Sequence, residues 1–391
     1  MNIKKTHIIL FLLLSVIGFS QANISEGMFV DTDGIIQMHE DAQLGIHTHL
    51  ENNGTFNENL GFTGFYHDTD ILTVFGTQRP IFNNVDVAVV NNLELYNSVG
   101  VTGDFRFLEG KVITPRDQID ISLDYINYGG HLGEDNPTHV DGYTSVIWQN
   151  EFIFPIGDED KFRPMILPNQ SSTAFFEGAY FRDDPEAIIT ENSLIGNSFE
   201  RTEKIYFVEN ISEWEFWDLN GSLSTQVTLT WDNDSNINQI TQDLDRLIVV
   251  GWSFENERWE SLGNAYYEGN FNSGKITSVN FTPNNYEIIT FGAVRNQSNN
   301  FYISPNNDEY NQTVVFDELE EYEQGSLKVF NRWGNIVFES ADYQNDFDGT
   351  SNGRATILKD RKLPDGTYFY EFEFGNETFE NLMQGWIYIS R

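Results

Sequence analysis

An all-β chain is what this sequence predicts, and three observations carry the expectation. Short runs with apolar residues two apart recur along the whole chain, helical spacing is nowhere sustained, and Asn, Gly and Asp punctuate the runs at short intervals. Aromatic residues make up 15% of the 391 residues, and such side chains fit the pleated, half-buried surface of a strand. The order of textures along the chain predicts a β-solenoid-like N-terminal region, a β-sandwich middle domain and a small antiparallel β-sandwich C-terminal domain. The expected divisions are a signal peptide over 1–20, a β-solenoid-like or β-rich domain over 21–160, a β-sandwich domain over 161–300 and a C-terminal domain over 301–391.

The leader comes first. MNIKK supplies two lysines ahead of an apolar run from Ile8 to Phe19 that only Ser15 and Gly18 interrupt. That run is too short to span a bilayer and has the layout of a signal peptide. Cleavage is expected before Gln21, with a cut after Ala22 as the alternative. The whole chain carries a formal charge of -38, and removing Lys4 and Lys5 with the leader moves it to -40. A chain this acidic has no basic footprint for phosphate, which excludes nucleic acid and disfavours anionic membrane surfaces. Cysteine is absent, excluding a lipid-box anchor, disulfides, a thiolate nucleophile and Cys-ligated metal. An exported chain of this kind rests on its apolar core alone.

Between Gly34 and Tyr125 the runs GIIQM, QLGIHTHL, DILTVF, NVDVAVV, NLELYN, DFRFLEG, KVIT and QIDISLDY read as strands, with Leu93/Leu95, Phe105/Phe107 and Ile119/Ile121 each placed two apart. Strands this short and this evenly spaced fit a solenoid, in which each coil buries its face against its neighbours; a sandwich is the competing arrangement. From Thr138 the texture changes to HVDGYTSVIWQNEFIFPIGDEDKFRPMIL. This stretch resembles a module of Bacteroidota surface proteins in which solenoid-like repeats end in V-D-G-Y, followed by F-P-I-G-D and an R-P pair. The resemblance covers residues 83–167.

The runs WEFWDLNGS, QVTLTWDND, LIVVGWSFENERWESLGN, SGKITSVNF and NYEIITFGA then read as the strands of a sandwich. Trp214, Trp217, Trp231, Trp252 and Trp259 are expected to pack its core more than to form a sugar platform.

The last ninety residues carry SLKVFNRWGNIVFES, YQNDFDG, LPDGTYFYEFEF and GWIYISR in succession. Residues around Trp333 tolerate left-handed geometry, predicting a hairpin there, and Pro364-Asp365-Gly366 predicts a turn into an alternating strand. Four motifs in order, Phe330 to Asn335, Tyr343 to Gly349, Leu363 to Tyr370 and Gly385 to Arg391, closely resemble the gliding-motility-associated C-terminal domain, the type B sorting domain of the Bacteroidota type IX secretion system. The resemblance implies a compact β-domain that directs export and surface association, recognised by the type IX translocon and by an outer-membrane barrel of the PorP/SprF type. The residues it marks for recognition are Phe330, Asn331, Arg332, Trp333, Gly334, Asn335, Pro364, Asp365, Gly366, Thr367, Tyr368, Gly385 and Arg391. One departure is visible: family members open this domain with T-P-N-G-D-G-x-N-D, whereas this chain has Ser304 to Gln312 without either glycine, so the turn must differ.

Chemistry has few carriers in the sequence. His39, His47, His49 and His67 find no completing carboxylate pattern for a transition metal. Asp232, Asp234 and Asn236 alternate as in an oxygen-ligand loop and are the calcium candidates, although Ile237 replaces the turn glycine of an EF-hand. Asp31/Asp33 and Asp158/Glu159/Asp160 are further acidic positions able to take a structural ion. There is no G-x-S-x-G, H-E-x-x-H or phosphate loop, so no enzyme and no cofactor beyond a structural calcium are expected. The expected function is that of an exported structural or adhesive protein associated with gliding motility or adhesion. The alternative is an extracellular glycan-binding or glycan-cleaving protein.

Overall fold

The computed structural model describes residues 27–127, 130–187, 198–295, 300–306, 308, 310–316, 318–321, 324–352, 361–376 and 379–391. The signal peptide expected over residues 1–20 lies outside the described residues. Strands dominate, and the helical pieces are single turns such as Ile237–Ile240 and Glu318–Glu321. The chain forms two compact units, one ending at Arg295 and one beginning at Asn296. The expected division at 160/161 falls inside the first unit.

The first unit begins as a β-solenoid of about five turns. Its strands stack in parallel on three faces. On one face Met28 pairs with Leu50, Leu72 with Leu93, and Leu93 with Val112. A second face stacks Gln43–Ile46, Phe62–His67, Asn84–Val89, Asp104–Glu109 and Gly130–Leu132. A third stacks Ile81–Phe82, Val99–Val101, Leu123–Ile126 and Thr144–Trp148.

Alternation sends one side chain in two to the interior, where Val74, Phe82, Val85, Val87 and Val101 are fully buried. No coil closes a core by itself, so rings from successive coils must meet. Phe56 and Phe82 lie 5.1 Å apart between centroids, and Tyr125 and Phe152 5.3 Å.

Asparagine punctuation has a structural cause. At the corners the Asn52 amide donates to the Gln78 carbonyl, Asn83 to Leu60, and Asn97 to Gly76. Each bond satisfies, from a neighbouring coil, a carbonyl that the turn removes from the sheet.

Two strand expectations differ in detail. QLGIHTHL divides into Gln43–Ile46 and Leu50–Asn52, which belong to different faces. In QIDISLDY only Leu123–Ile126 is strand. Ile119 and Ile121 sit in a turn after Pro115, closed by the Ile121 N–H donating to the Gln118 carbonyl, because a proline cannot donate to a ladder and favours turn geometry.

The motifs that end the solenoid build its junction with the sandwich. In VDGY, Val140 and Asp141 form the next rung, pairing with Val112 and Ile113 on one side and with Ile156 and Gly157 of FPIGD on the other. Asp141 accepts from Lys111 at 3.1 Å and from Arg116 at 2.7 Å. Tyr143 is buried and its hydroxyl donates to Asp218 at 2.7 Å.

Thr144–Trp148, last of the parallel strands on its face, then accepts Ala174–Phe181 antiparallel. One ten-stranded sheet therefore runs from the solenoid into the sandwich. A five-stranded sheet of Phe152–Phe154, Met165–Leu167, Thr228–Trp231, Ser273–Thr277 and Tyr266–Asn270 forms the second layer. A single apolar cluster, including Leu50, Phe152, Trp217 and Phe291, is shared by solenoid and sandwich. Trp217, Trp231 and Trp259 are buried, as a packing role requires.

Among the described residues, the second unit is one sheet of five strands in the order Ile336–Ser340, Gln324–Phe330, Gly366–Asn376, Phe379–Ile389 and Asn300–Ile303. Neighbours are antiparallel except the last pair, which is parallel. Its inner face packs Phe316 against Tyr370 and Phe372, with the Phe316 and Phe372 rings stacked at 3.8 Å.

Candidate recognition surface

Register places the motif residues of the second unit at one end of its sheet. Phe330 closes its strand opposite Phe369, and Gly366 opens the next strand opposite Ile389. The hairpin tip, the Leu363–Asp365 turn and Arg391 therefore share that end.

At the tip, Asn331 organises the loop with both its backbone and its side chain. Its N–H donates to the Asn335 carbonyl at 2.9 Å, and its Oδ1 accepts from the N–H groups of Trp333 at 2.9 Å and Asn335 at 3.1 Å. Gly334 takes φ +76° with nothing near the position a Cβ would occupy, so glycine is required there for conformation and not for space. Trp333 is left 74% exposed with the Arg332 guanidinium 4.9 Å from its ring, a cation–π pair presented to solvent.

Arg391 ties three motifs together. Its guanidinium donates to the Gly349 carbonyl at 3.2 Å and to the Leu363 carbonyl, and its backbone N–H donates to Asp365 at 3.3 Å. Gly349 takes φ +76°, and a Cβ there would stand 2.8 Å from Arg391 Nη2. The Tyr368 hydroxyl donates back to the Pro364 carbonyl at 2.8 Å. Inside the domain, the buried Tyr343 hydroxyl donates to the Val314 carbonyl at 2.6 Å and accepts the Phe347 N–H at 3.1 Å. Phe330, Asn331 to Asn335, Pro364, Asp365, Thr367 and Arg391 thus lie on or beside the surface, while Tyr368 is buried and Gly385 faces Tyr370 within the sheet.

The segment without glycines also closes at this end. The Gln312 amide donates to Asp308 Oδ1 at 2.9 Å, to the Tyr310 carbonyl at 3.0 Å and to Asn306 Oδ1 at 3.2 Å. An uncharged amide from the chain itself thus gathers the loop's oxygens, and Asn311 supplies the left-handed residue at φ +50°.

Residues 300–391 also carry surface aromatics beyond the marked set. Tyr302, Phe369, Trp386 and Tyr388 point outward from three adjacent strands, and Phe330 is half-buried beside them. The signal was in the run Tyr368-Phe369-Tyr370, aromatic at both parities, which marks a strand apolar on two faces.

In the first unit the calcium candidates meet cations of the protein. Asp232 is held by Lys161 and, at 2.9 Å, by Arg163. Asp234 lies 2.9 Å from Lys161 and 3.7 Å from Arg182. Burial would raise the Asp232 pKa, but hydrogen bonds from Lys161 and Arg163 overcome it and hold the carboxyl at about 2. Asp232 also caps the following 3₁₀ turn, accepting the Asp234 N–H at 3.0 Å. The Lys161 ammonium thus donates to both carboxylates of this loop. Asn236 adopts the left-handed region and its amide donates to the Asp234 carbonyl.

Among the described residues, no group of three or more His, Asp or Glu side chains is arranged to hold a metal. His49 receives the Thr73 N–H and His67 the Asp70 N–H.

Beside this loop a polar cleft of about 490 Å³ is lined by Tyr180, Arg182, Trp214, Glu215 and Asp234 among others. Glu215 is buried against Arg163 at 2.9 Å and accepts from the Tyr180 hydroxyl at 2.8 Å. Burial raises its pKa against the pull of the Arg163 charge.

Comparison with curated proteins and with solved structures finds no match. The family model that matches is the CHU_C Type IX secretion signal domain, over residues 296–389. That range takes in all five strands of the second unit and the motif-bearing end described above. Residues 296–389 are a type IX secretion signal domain, and the protein that carries them is a type IX cargo destined for the cell surface or the extracellular space.

Proposed function

We propose that the protein is a structural and adhesive component of the cell surface or its surroundings, associated with gliding motility or adhesion. In this reading a solenoid-and-sandwich body is delivered by the C-terminal domain and held at the surface by an outer-membrane barrel of the PorP/SprF type. The observation that carries it is the signal domain itself, joined to a body whose coils leave Phe29, Ile35, Leu60, Tyr96, Leu108 and Leu132 exposed. Beads coated with the purified protein and offered to host cells and to polymer-coated glass test the adhesive role. Retention above that of uncoated beads, reduced by soluble protein, is expected; equal retention contradicts it.

A second reading, a glycan-binding or glycan-cleaving protein, draws on the cleft where Trp214 and Tyr180 accompany Glu215 and Asp234. Release of reducing ends from a polysaccharide panel, lost in Glu215→Gln, would favour this reading. Absence of both release and binding across the panel would remove it.

A further inference from the structure

We propose that the outward aromatic face of the C-terminal sheet is the surface by which the type IX machinery holds this protein, and that the partner presents an apolar patch flanked by cationic groups. The proposal rests on residues 296–389 being the export signal and identifies where on that domain recognition takes place.

Alternation along the central strand sets the two faces of the sheet. The strand Gly366–Asn376 sends Tyr368, Tyr370, Phe372 and Phe374 inward, where all are buried. Its opposite parity faces solvent and begins Thr367, Phe369, Glu371, Glu373. A solvated sheet face of this kind is ordinarily polar throughout, yet Phe369 is 52% exposed on it. The neighbouring strand places Trp386 directly opposite Phe369 and Tyr388 opposite Thr367. The edge strand then sets Tyr302 beside Tyr388, with rings stacked at 5.9 Å and 16°. On the other side Phe330, from the FNRWGN motif, is paired with Phe369. The result is an aromatic surface across four strands with a shallow groove of about 530 Å³ between Tyr302, Phe369, Trp386 and Tyr388.

Among the described residues, no core requires these rings to point outward, since the inner face already holds Phe316, Tyr343, Tyr370 and Phe372. Left in water they forgo the free energy that burial would return, roughly 25 cal/mol for each Å². A contiguous patch of this kind marks a binding surface.

Two features of the domain select the occupant. The face adjoins the end of the sheet where the hairpin tip, the Leu363–Asp365 turn and Arg391 gather, so it is continuous with the motif-bearing part of the signal domain. Its far side is acidic: Glu371 and Glu373 continue the same face, with Lys328 3.9 Å from Glu373 as a partial counter-charge. Between 296 and 391 there are seventeen acidic and seven basic residues. A partner complementary to this surface is apolar at its centre and cationic at its flank, which gives both affinity and register.

The test uses the full chain in a type IX-competent host, with and without its translocon, followed by immunodetection in surface, medium and periplasmic fractions. The variants are Tyr302→Ser/Phe369→Ser/Trp386→Ser combined, the charge reversal Glu371→Lys/Glu373→Lys, and Phe254→Ser, at an exposed ring of the first unit, as a comparison outside the face. The expected result is at least about a tenfold fall in surface and medium protein for the triple variant, a smaller fall for the charge reversal, and matching periplasmic accumulation. Unchanged melting of the purified variants separates recognition from folding. The charge reversal, which removes no apolar group, keeps the test decisive if the triple variant unfolds. Translocon-dependent delivery of both face variants at the wild-type level overturns the proposal while leaving the export signal standing. Wild-type delivery that survives loss of the translocon overturns the export reading itself. A wild-type dimer in solution that the triple variant converts to monomer assigns the face to a second copy of the chain and also overturns the proposal.

Discussion

Arg391 is one side chain on which three sequence motifs depend. Its guanidinium meets two carbonyls, those of Gly349 and Leu363, while Asp365 lies 3.5 Å away. Arg391→Ala removes the donors and leaves those carbonyls to water, an expected cost of about 1–3 kcal/mol in the C-terminal unit. Arg391→Lys keeps the charge but cannot serve both carbonyls with a planar fork, so its melting temperature should fall between the two; equal melting of all three proteins would contradict the assignment.

In the first unit, Glu177 is the residue with a pH signature. Burial raises its pKa to about 8, opposed by a Ser122 hydrogen bond and assisted by the charges of Asp218 and Asp124. Burial likewise raises Asp218 to about 6. A carboxyl whose folded pKa lies above its unfolded value holds its proton more tightly when folded. The stability it contributes is complete below the unfolded pKa and is lost as pH rises through the folded one. Calorimetry should therefore find the first unit less stable at pH 8 than at pH 5, and Glu177→Gln should raise its melting temperature at pH 8 with little change at pH 5. An identical pH dependence in wild type and variant would refute this.

At the scale of elements, the junction between solenoid and sandwich is the sensitive part. Gly142 of VDGY takes φ +127°, and a Cβ would stand 2.2 Å from Thr114 Oγ1 and 2.5 Å from the Thr114 carbonyl. Gly142→Ala should cost more than about 2 kcal/mol, read as an earlier first transition in denaturant, because neither the backbone angle nor the space admits a methyl group. An unchanged midpoint would show that the rung tolerates displacement.

This junction also marks how far sequence could be read. VDGY and FPIGD were visible as motifs, and the short alternating runs pointed to parallel coils. Their purpose was not visible, because it lies in pairings with residues far away: Arg116 with the Tyr180 carbonyl and Tyr143 with Asp218. Rungs as short as Ile81–Phe82 carry too few residues for periodicity to register. The alternation of Ile119 and Ile121 was a real pattern without a strand, because Pro115 turns the chain there. In the C-terminal domain the hairpin at Trp333 and the turn at Asp365 were legible from glycine and asparagine placement. The outward rings of Tyr302, Trp386 and Tyr388 were not, since which parity faces water is settled only by the sheet's other layer.

Across the whole molecule, labour is divided between a body and an address. The body continues one sheet from parallel coils into an antiparallel sandwich over a shared apolar cluster, so damage to either half should lower the stability of both. The address is a separate compact unit whose family model specifies type IX export. The most direct measurement compares the full chain with one lacking residues 296–391, each expressed with residues 1–20 intact in a type IX-competent host and in the same host without its translocon. Surface or medium protein is expected only for the full chain in the competent host, with periplasmic accumulation in the other three cases. Delivery of the truncated chain, or delivery of the full chain without the translocon, would contradict it.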